Sequence, residues 1–405
     1  VQRNYMPGKD LAILNEYDIR DNISRSWLPA VLETNGGAPV SAAVFQEKCQ
    51  RTYGGETVCY SDFKYEHSSL NRLVAQYGPG DDWRAHSKGI TMNYLTNIEG
   101  ADTLDCWHIK TVGATSFYAN KYATGRLQVT RTKNEDGAVI FEFKDFDDRV
   151  ILSRLIEYSD TGKNFFDTYY VYDDLGHLTA VLPPKLSDTI KAGYLDNEQI
   201  SNYAFLYVYG VGDYLTAKKL PDADWVYYLY DRSGRAVFSQ DGNQRNRNEW
   251  SFHLTDRSGR ECITGTCKNT FNHEKQPLLV FDIDCTYMGN SGNLMGYAVN
   301  RIKLVSPVVY TANFYDHYHF IDANVFPKSY AGFSNPFKFE TSSGFAACHP
   351  SARGLLTGTV TARLDDSGAT GYDYCAMYYD QRDRLIQTRS TDLRGRLDVE
   401  MIAYN

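Results

Sequence analysis

"YYVYDDLGHLT", Tyr169 to Thr179, reads as a strand, a turn and a second strand. Tyr169, Tyr170, Val171 and Tyr172 are aromatic or β-branched, the side chains that suit a pleated, half-buried surface. Asp173 then opens a four-residue group that ends in Gly176, and Leu178 leads into the next strand. Whether this is one hairpin or one copy of a repeat decides the fold, because a repeat that cannot bury its face alone implies an array.

The unit recurs. "YYLYDRSGRAV" (Tyr227–Val237) places Asp231 and Gly234 at the same two positions, "FHLTDRSGREC" (Phe252–Cys262) places Asp256 and Gly259, and "TDLRGRL" (Thr391–Leu397) places Asp392 and Gly395. In "MYYDQRDRLIQ" (Met377–Gln387) Asp380 is followed by Asp383. "FKDFDDRVI" (Phe143–Ile151) gives Asp145 and Asp148, and "YDIRDNI" (Tyr17–Ile23) gives Asp18 and Asp21. "YVYGVGDYLT" (Tyr207–Thr216) is a worn copy with Gly210 first and Asp213 fourth. Asp at the first position accepts hydrogen bonds from backbone N–H groups ahead of it. A type I turn follows, and the fourth residue needs positive φ to form the bulge that lets the strands pair with the correct twist. Glycine enters that region freely and Asp is among the next most tolerant residues, so the substitutions are those that backbone geometry permits. First positions at 145, 173, 210, 231 and 256, and at 380 and 392, keep no fixed period. The repeating unit is therefore the hairpin and not a solenoid coil, and the close pair 380 and 392 predicts a meander.

At 405 residues the chain can bury a large core, and 42% hydrophobic content argues against disorder. The 32 tyrosines and scarce helical periodicity predict a mainly β chain. The best helical segments are "PVSAAVFQEKCQRTY" (Pro39–Tyr53) and "LSDTIKAGYLDNEQISNY" (Leu186–Tyr203). No linker interrupts the chain, which reads as one continuous region over 1–405, more degenerate with insertions over 1–130 and with clearer hairpins over 131–405. A net charge of −8 without a basic stripe argues against nucleic acid as a partner. No apolar run approaches the ~20 residues that span a membrane, so no membrane insertion of this segment is expected. The chain opens inside a strand-like segment and stops at "MIAYN", so it reads as an excerpt of a longer polypeptide. Eight cysteines make neither a disulfide scaffold of this length nor a zinc knuckle. Isolated buried thiols are the expected state, with a local Cys262–Cys267 bridge as the alternative in an oxidising compartment.

The aromatic-x-Tyr-Asp-x-x-Gly-Arg unit in a Tyr-rich chain resembles the YD-repeat or rearrangement-hotspot (Rhs) family, whose members form the hollow shells of toxin complexes and the extracellular shell of teneurins. The resemblance is strongest over 169–182, 226–265 and 374–397. "LNRLVAQYGPGDDW" (Leu70–Trp83), "YYVYDDLGHLTAVLPP" (Tyr169–Pro184) and "YDRSGRAVFSQDGNQR" (Tyr230–Arg245) resemble a bacterial cell-surface or secreted branch. It implies an irregular array of antiparallel hairpins forming a curved or spiralling sheet, a partial shell with a few short helices in insertions. It also implies partners in further repeats of the same chain and a C-terminal cargo, often a toxin. No counterpart of the self-cleaving segment that such shells carry after their repeats is legible before Asn405, so no catalytic residue is carried over.

Sharper motifs were weighed against this. "LLVFDIDCT" (Leu278–Thr286) matches the first motif of haloacid-dehalogenase-type phosphatases, with Asp282 as nucleophile and Asp284 as general acid. Asp365 and Asp366 would serve as a later metal-binding pair, and Lys303 or Lys328 as the phosphate-binding lysine. That chemistry needs parallel strands with crossover helices, whereas a strand-like sequence follows Thr286. "YDHYHF" (Tyr315–Phe320) predicts His317 and His319 on one strand face, with Asp316 on the other and no third metal ligand by spacing. "CWH" (Cys106–His108) gives nothing more specific, and "GNSGN" (Gly289–Asn293) fails the nucleophile-elbow pattern and reads as a loop. Arg149, Arg235, Arg260, Arg384 and Arg396 follow the turns and are expected to stack on tyrosines or pair with turn aspartates, with ligand contact as the alternative. Trp83, Trp107, Trp225 and Trp250 are the candidates for sugar stacking.

The expectation is a non-enzymatic structural segment without cofactor or metal. It belongs to a secreted or cell-surface protein and builds a shell or scaffold that encloses or presents another segment. A surface module binding glycan or protein through an aromatic-rich concave sheet is the second reading, and the phosphatase a distant third.

Overall fold

Each turn of the Asp-x-x-Gly/Asp type closes a hairpin in the computed structural model of the chain, which describes residues 2–6, 8–33, 37–159, 162–195, 197–289, 294–323, 325–365, 368–392 and 394–404. Asp256 shows the construction. Its Oδ1 accepts the N–H groups of Ser258 at 2.8 Å and Arg260 at 3.0 Å, while the Gly259 N–H donates to the Asp256 carbonyl at 3.0 Å. Asp18, Asp145, Asp173, Asp380 and Asp392 accept the corresponding pair of N–H groups. The fourth residue is left-handed whether it is glycine (Gly176 89°, Gly234 77°, Gly259 81°, Gly395 74°) or aspartate (Asp21 61°, Asp148 62°, Asp213 62°, Asp383 58°). The worn copy keeps only the backbone part: the Gly210 N–H donates to Tyr214 and the Asp213 N–H to Gly210, with no carboxylate cap. The register slips by one residue beside these turns, as between Leu254 and Thr255, which is the bulge that the positive φ accommodates.

The chain divides into two compact units, Val1–Phe205 and Leu206–Asn405. In the first, the main sheet runs through Asn15–Tyr17, Ile23–Trp27, Tyr60–Tyr65, Leu73–Tyr77, Ile90–Thr96, Gln128–Lys133, Val139–Lys144, Val150–Ser159, Gly162–Tyr172 and Leu178–Leu182. Each strand pairs antiparallel with the next. Two small sheets accompany it, one of Gln2–Met6, Lys9–Ala12 and Ala30–Glu33, the other of Gly193–Tyr194, Ser116–Lys121 and Trp107–Gly113. In the second unit the order is Phe205–Tyr209, Leu215–Lys219, Val226–Tyr230, Ala236–Gln240, Trp250–Thr255, Glu261–Cys267, Val308–Asp316, Ala352–Asp365, Gly368–Tyr379, Leu385–Thr391 and Leu397–Met401, again antiparallel throughout. The turns at 380 and 392 form the expected meander. Among the described residues no pairing returns the last strand of a unit to its first, so each unit's sheet is open. The fold is mainly β with a few short helices.

An open antiparallel sheet must cover one face. Along Trp250–Thr255 burial alternates, with Trp250, Phe252 and Leu254 inside. Their partners come largely from the insertions after Cys267 and Asp316, which contribute Ile283, Cys285, Tyr297, Phe320, Phe326 and Phe337 to the same core. Fully buried Phe314 stacks on Phe320 with ring centroids 4.4 Å apart. Gly358 permits that packing, because a Cβ there would lie 2.5 Å from Phe320 Cζ. Irregular insertions here do the covering that helices do in other folds.

Two sequence expectations need correction, and two of the alternatives weighed beside them do not fit the structure. The segment Ala42–Thr52 is one helix, capped by Ser41, but Leu186–Tyr203 is not. It breaks into Pro184–Ser187 and Asn197–Tyr203 around Gly193, which sits at φ 112° in the strand Gly193–Tyr194. His317 and His319 do not share a strand face. The strand ends at Asp316, which turns left-handed at φ 73°, and His319 begins the short helix His319–Asp322. The two imidazoles stack at 4.6 Å, and Asp316 is bound to Arg260 and not set across a strand. Cys262 and Cys267 occupy one extended strand, about 16 Å apart at the usual rise. A disulfide tolerates about 7 Å between Cα atoms, which excludes that bridge. Finally, Cys285–Tyr287 pairs antiparallel with Tyr297–Val299, so the parallel sheet required by the phosphatase reading is not built around Asp282.

Candidate functional site

The two identical "DRSGR" turns, 231–235 and 256–260, flank a cleft of about 920 Å³ in the second unit. Arg232, Arg235, Arg257, Arg301, Asp282 and Asp284 are among its lining residues. The segment 277–285, which carries the phosphatase-like motif, runs along the turns and is bonded to them in succession. Tyr230 N–H donates to the Pro277 carbonyl and Leu279 N–H to the Tyr230 carbonyl, both at 2.8 Å. Arg232 N–H donates to Phe281 at 3.2 Å. Ile283 N–H reaches Asp231 Oδ2 at 3.3 Å, and Arg235 Nη2 returns a bond to the Ile283 carbonyl at 3.0 Å.

The two candidate catalytic carboxylates complete this clip. Asp282 Oδ1 accepts the Ser233 hydroxyl at 2.7 Å, one turn up the sheet from Arg257, whose Nε donates to Asp284 Oδ2 at 3.1 Å. Asn300 holds Asp284 from the other side through Nδ2 at 3.1 Å, and its N–H donates to the Asp284 carbonyl at 2.9 Å. Lys303 and Lys328 are not among the lining residues, Asp365 lies on the strand Ala352–Asp365, and Asp366 lies outside the described residues. The Asp-x-Asp spacing therefore matches the spacing of adjacent turns. Among the described residues no cluster of three or more His, Cys, Asp or Glu side chains is placed to hold a metal ion. Gly289 is described with φ 59°, and the rest of "GNSGN" (290–293) lies outside the described residues.

The arginines after the turns fold back on their own aspartates: Arg149 on Asp145, Arg235 on Asp231, Arg260 on Asp256, Arg384 on Asp380 and Arg396 on Asp392. Three also lie over tyrosine rings, Arg149 over Tyr172, Arg260 over Tyr315 and Arg384 over Tyr404. His177 takes the same place beside Asp173. Of the tryptophans, Trp250 is buried, Trp107 has the Lys121 ammonium 3.5 Å from its ring centroid, and Trp83 donates to Glu135. Trp107 also lines a cleft of about 530 Å³ in the first unit together with His108, Tyr122, Tyr169, Tyr170 and Tyr172. One turn escaped the sequence search. Asn134 accepts the Ala138 N–H on Oδ1 at 2.8 Å, and Gly137 sits at φ 90°. Asn-x-x-Gly at the same spacing was the available signal.

Arg260 also reaches beyond its turn. It donates through Nη1 and Nη2 to Asp316 at 3.0 and 2.8 Å, and Asp316 Oδ1 accepts the Gly354 N–H at 2.6 Å. The Arg260 hydrogen bond holds the Asp316 carboxyl down at about 2. A depressed folded value stabilises above the unfolded value of about 4 and is lost as pH falls through about 2. Asp316→Asn is therefore expected to lower the urea midpoint at pH 5 and to converge on the parent between pH 4 and 2. An equal deficit at pH 5 and pH 2 would show that the charge is not the stabilising feature.

Residues 1–96 match a family described as a domain of unknown function (DUF6443). No curated protein matches. Among solved structures, the chain is similar at 12% identity and a TM-score of 0.42 to "Crystal Structure of TcdB2-TccC3-TEV", over 96% of this chain and 17% of that one. "Crystal Structure of TcdB2-TccC3" gives the same identity and score over 98% of this chain and 17% of that one. The chain thus spans about a sixth of those chains.

Proposed function

We propose that this chain is a structural, non-catalytic segment of a longer secreted or cell-surface YD-repeat protein, forming part of a shell or scaffold that encloses or presents another segment. The observation that carries this reading is the construction of the sheet. Strand follows strand in sequence order, and the turns are locked by their own Asp and Arg side chains. The cleft with the most suggestive motif spends both carboxylates on holding an insertion against two turns. An array of this kind extends by adding hairpins, since each edge strand needs the next to pair its backbone groups. No described helix is long and apolar enough to cross a membrane.

The test is mass spectrometry and gel analysis of the full natural protein, prepared natively and denatured, with protease added to the native sample. The expected result is a segment outside the repeats that survives protease natively and is digested after denaturation. A protein whose remaining segments are all digested at native conditions would overturn enclosure.

A further inference from the structure

Four of the eight cysteines meet in pairs that the sequence spacing does not reveal. Cys262 is the extra residue in the bulge opposite Leu254 and Thr255, since Ile263 pairs with Leu254 and Glu261 with Thr255. Cys285 arrives at that spot from the clip segment, its Sγ 3.4 Å from the Thr255 carbonyl and 3.9 Å from that of Leu254. The Cys262 thiol donates to the Arg260 carbonyl at 3.5 Å, each of the two cysteines shifts the other's titration, and both residues are 1% exposed. In the first unit Cys49, on the helix Ala42–Thr52, donates its thiol to the Leu28 carbonyl, while the Leu28 N–H donates to the carbonyl of Cys59. The Cys59 thiol donates to the Glu56 carbonyl at 3.1 Å, and both cysteines are buried and shift each other's titration. All eight cysteines are free thiols in the structure, and among the described residues Cys106, Cys267, Cys348 and Cys375 show no such neighbouring cysteine.

We propose that Cys262–Cys285 and Cys49–Cys59 are two native disulfide sites, oxidised by a low-molecular-weight disulfide of the oxidised-glutathione class. This goes beyond the shell reading and does not depend on it. At each site one thiolate attacks the oxidant, forming a mixed disulfide and releasing one small thiol. The second protein thiol then displaces the other small thiol as the protein S–S bond forms. Two electrons pass from the protein sulfurs to the oxidant, and the two protein thiol protons end on the two released thiols. At the first site the neighbouring Cys285 holds the Cys262 titration down, while that same contact and burial push Cys285 up. Both sites are closed to bulk reagents in the folded chain, so oxidation belongs to folding, before the segment 277–285 settles on its turns. The first bond would fasten that clip to the sheet. The second would fasten the helix Ala42–Thr52 to the residue that precedes the strand Tyr60–Tyr65.

The experiment is to refold the 405-residue chain in a buffer of reduced and oxidised glutathione, quench with an alkylating reagent and map unreduced peptides by mass spectrometry. The expected map contains peptides joining Cys262 to Cys285 and Cys49 to Cys59, with the other four cysteines alkylated. Eight alkylated cysteines, or links that join any other pair, overturn the proposal. In a Cys285→Ser variant the 49–59 link is expected to persist and Cys262 to be alkylated. A variant in which Cys262 pairs elsewhere would overturn the first site. The parent map decides both sites even where the variant fails to fold.

Discussion

Asp231→Ala is expected to destabilise the unit Leu206–Asn405 by about 3–5 kcal/mol, the cost of breaking a buried ion pair from one side. Asp392→Ala, in the same turn type, is expected to cost much less, because only a backbone cap is lost there. The motif is the same and the surroundings differ. The Asp231 side chain is fully buried and its Oδ2 accepts Arg235 Nε at 2.8 Å, while Ile283 N–H approaches the same oxygen. Removing it leaves the Arg235 guanidinium without its anion and detaches the clip from the turn. Asp392 serves its own turn, and its partner Arg396 is 66% exposed. Urea unfolding of both variants gives the difference, and hydrogen exchange should show 279–285 losing protection in the first variant alone. Equal losses in the two variants would mean that the clip adds nothing to the turn.

The contrast shows what the sequence could disclose. The turns were legible because their chemistry is local: a first-position carboxylate, two free residues and a fourth residue able to take positive φ. Asp148 and Asp383 could be placed beside Gly176 and Gly259 on that ground, and the structure gives all four positive φ. Asn134 opens a turn of the same kind without a carboxylate, its amide oxygen making the same bond. What could not be read is long-range. Nothing near Asp282 and Asp284 in the sequence shows that Ser233 and Arg257 will meet them, nor that Cys285 will arrive beside Cys262. A hydrophobic run followed by Asp-x-Asp has the form of a catalytic strand end, and only the sheet's direction separates the two readings. His317 and Leu186–Tyr203 failed for a related reason. Periodicity describes an element's interior, whereas a left-handed Asp316 and a Gly193 at φ 112° end elements without changing the pattern around them.

The unit Val1–Phe205 offers the second large effect, at a place where no turn motif operates. Arg154 is 6% exposed and forms a two-pronged pair with Asp167 on the neighbouring strand, Nε to Oδ1 at 2.8 Å and Nη2 to Oδ2 at 2.6 Å. Its remaining nitrogen, Nη1, donates to the carbonyls of Thr103 at 3.0 Å and Asp105 at 3.1 Å, so one guanidinium ties the sheet to an insertion. Asp167→Ala should therefore cost about 3–5 kcal/mol, because the cation stays buried among carbonyls and the Phe143 and Phe165 rings without its counter-charge. The double variant Arg154→Met/Asp167→Leu separates two roles for the pair. Replacing a buried ion pair with apolar side chains of similar volume is often neutral or stabilising, so urea unfolding of the double variant should recover most of the single variant's loss. Exchange at 102–105 should nonetheless rise, since methionine cannot bond to those carbonyls. Recovery of both stability and protection would show that the insertion is held by its apolar contacts alone. Recovery of stability with exposure of 102–105 would assign the arginine to anchoring the insertion, the same task that Arg235 and Arg257 perform on the clip.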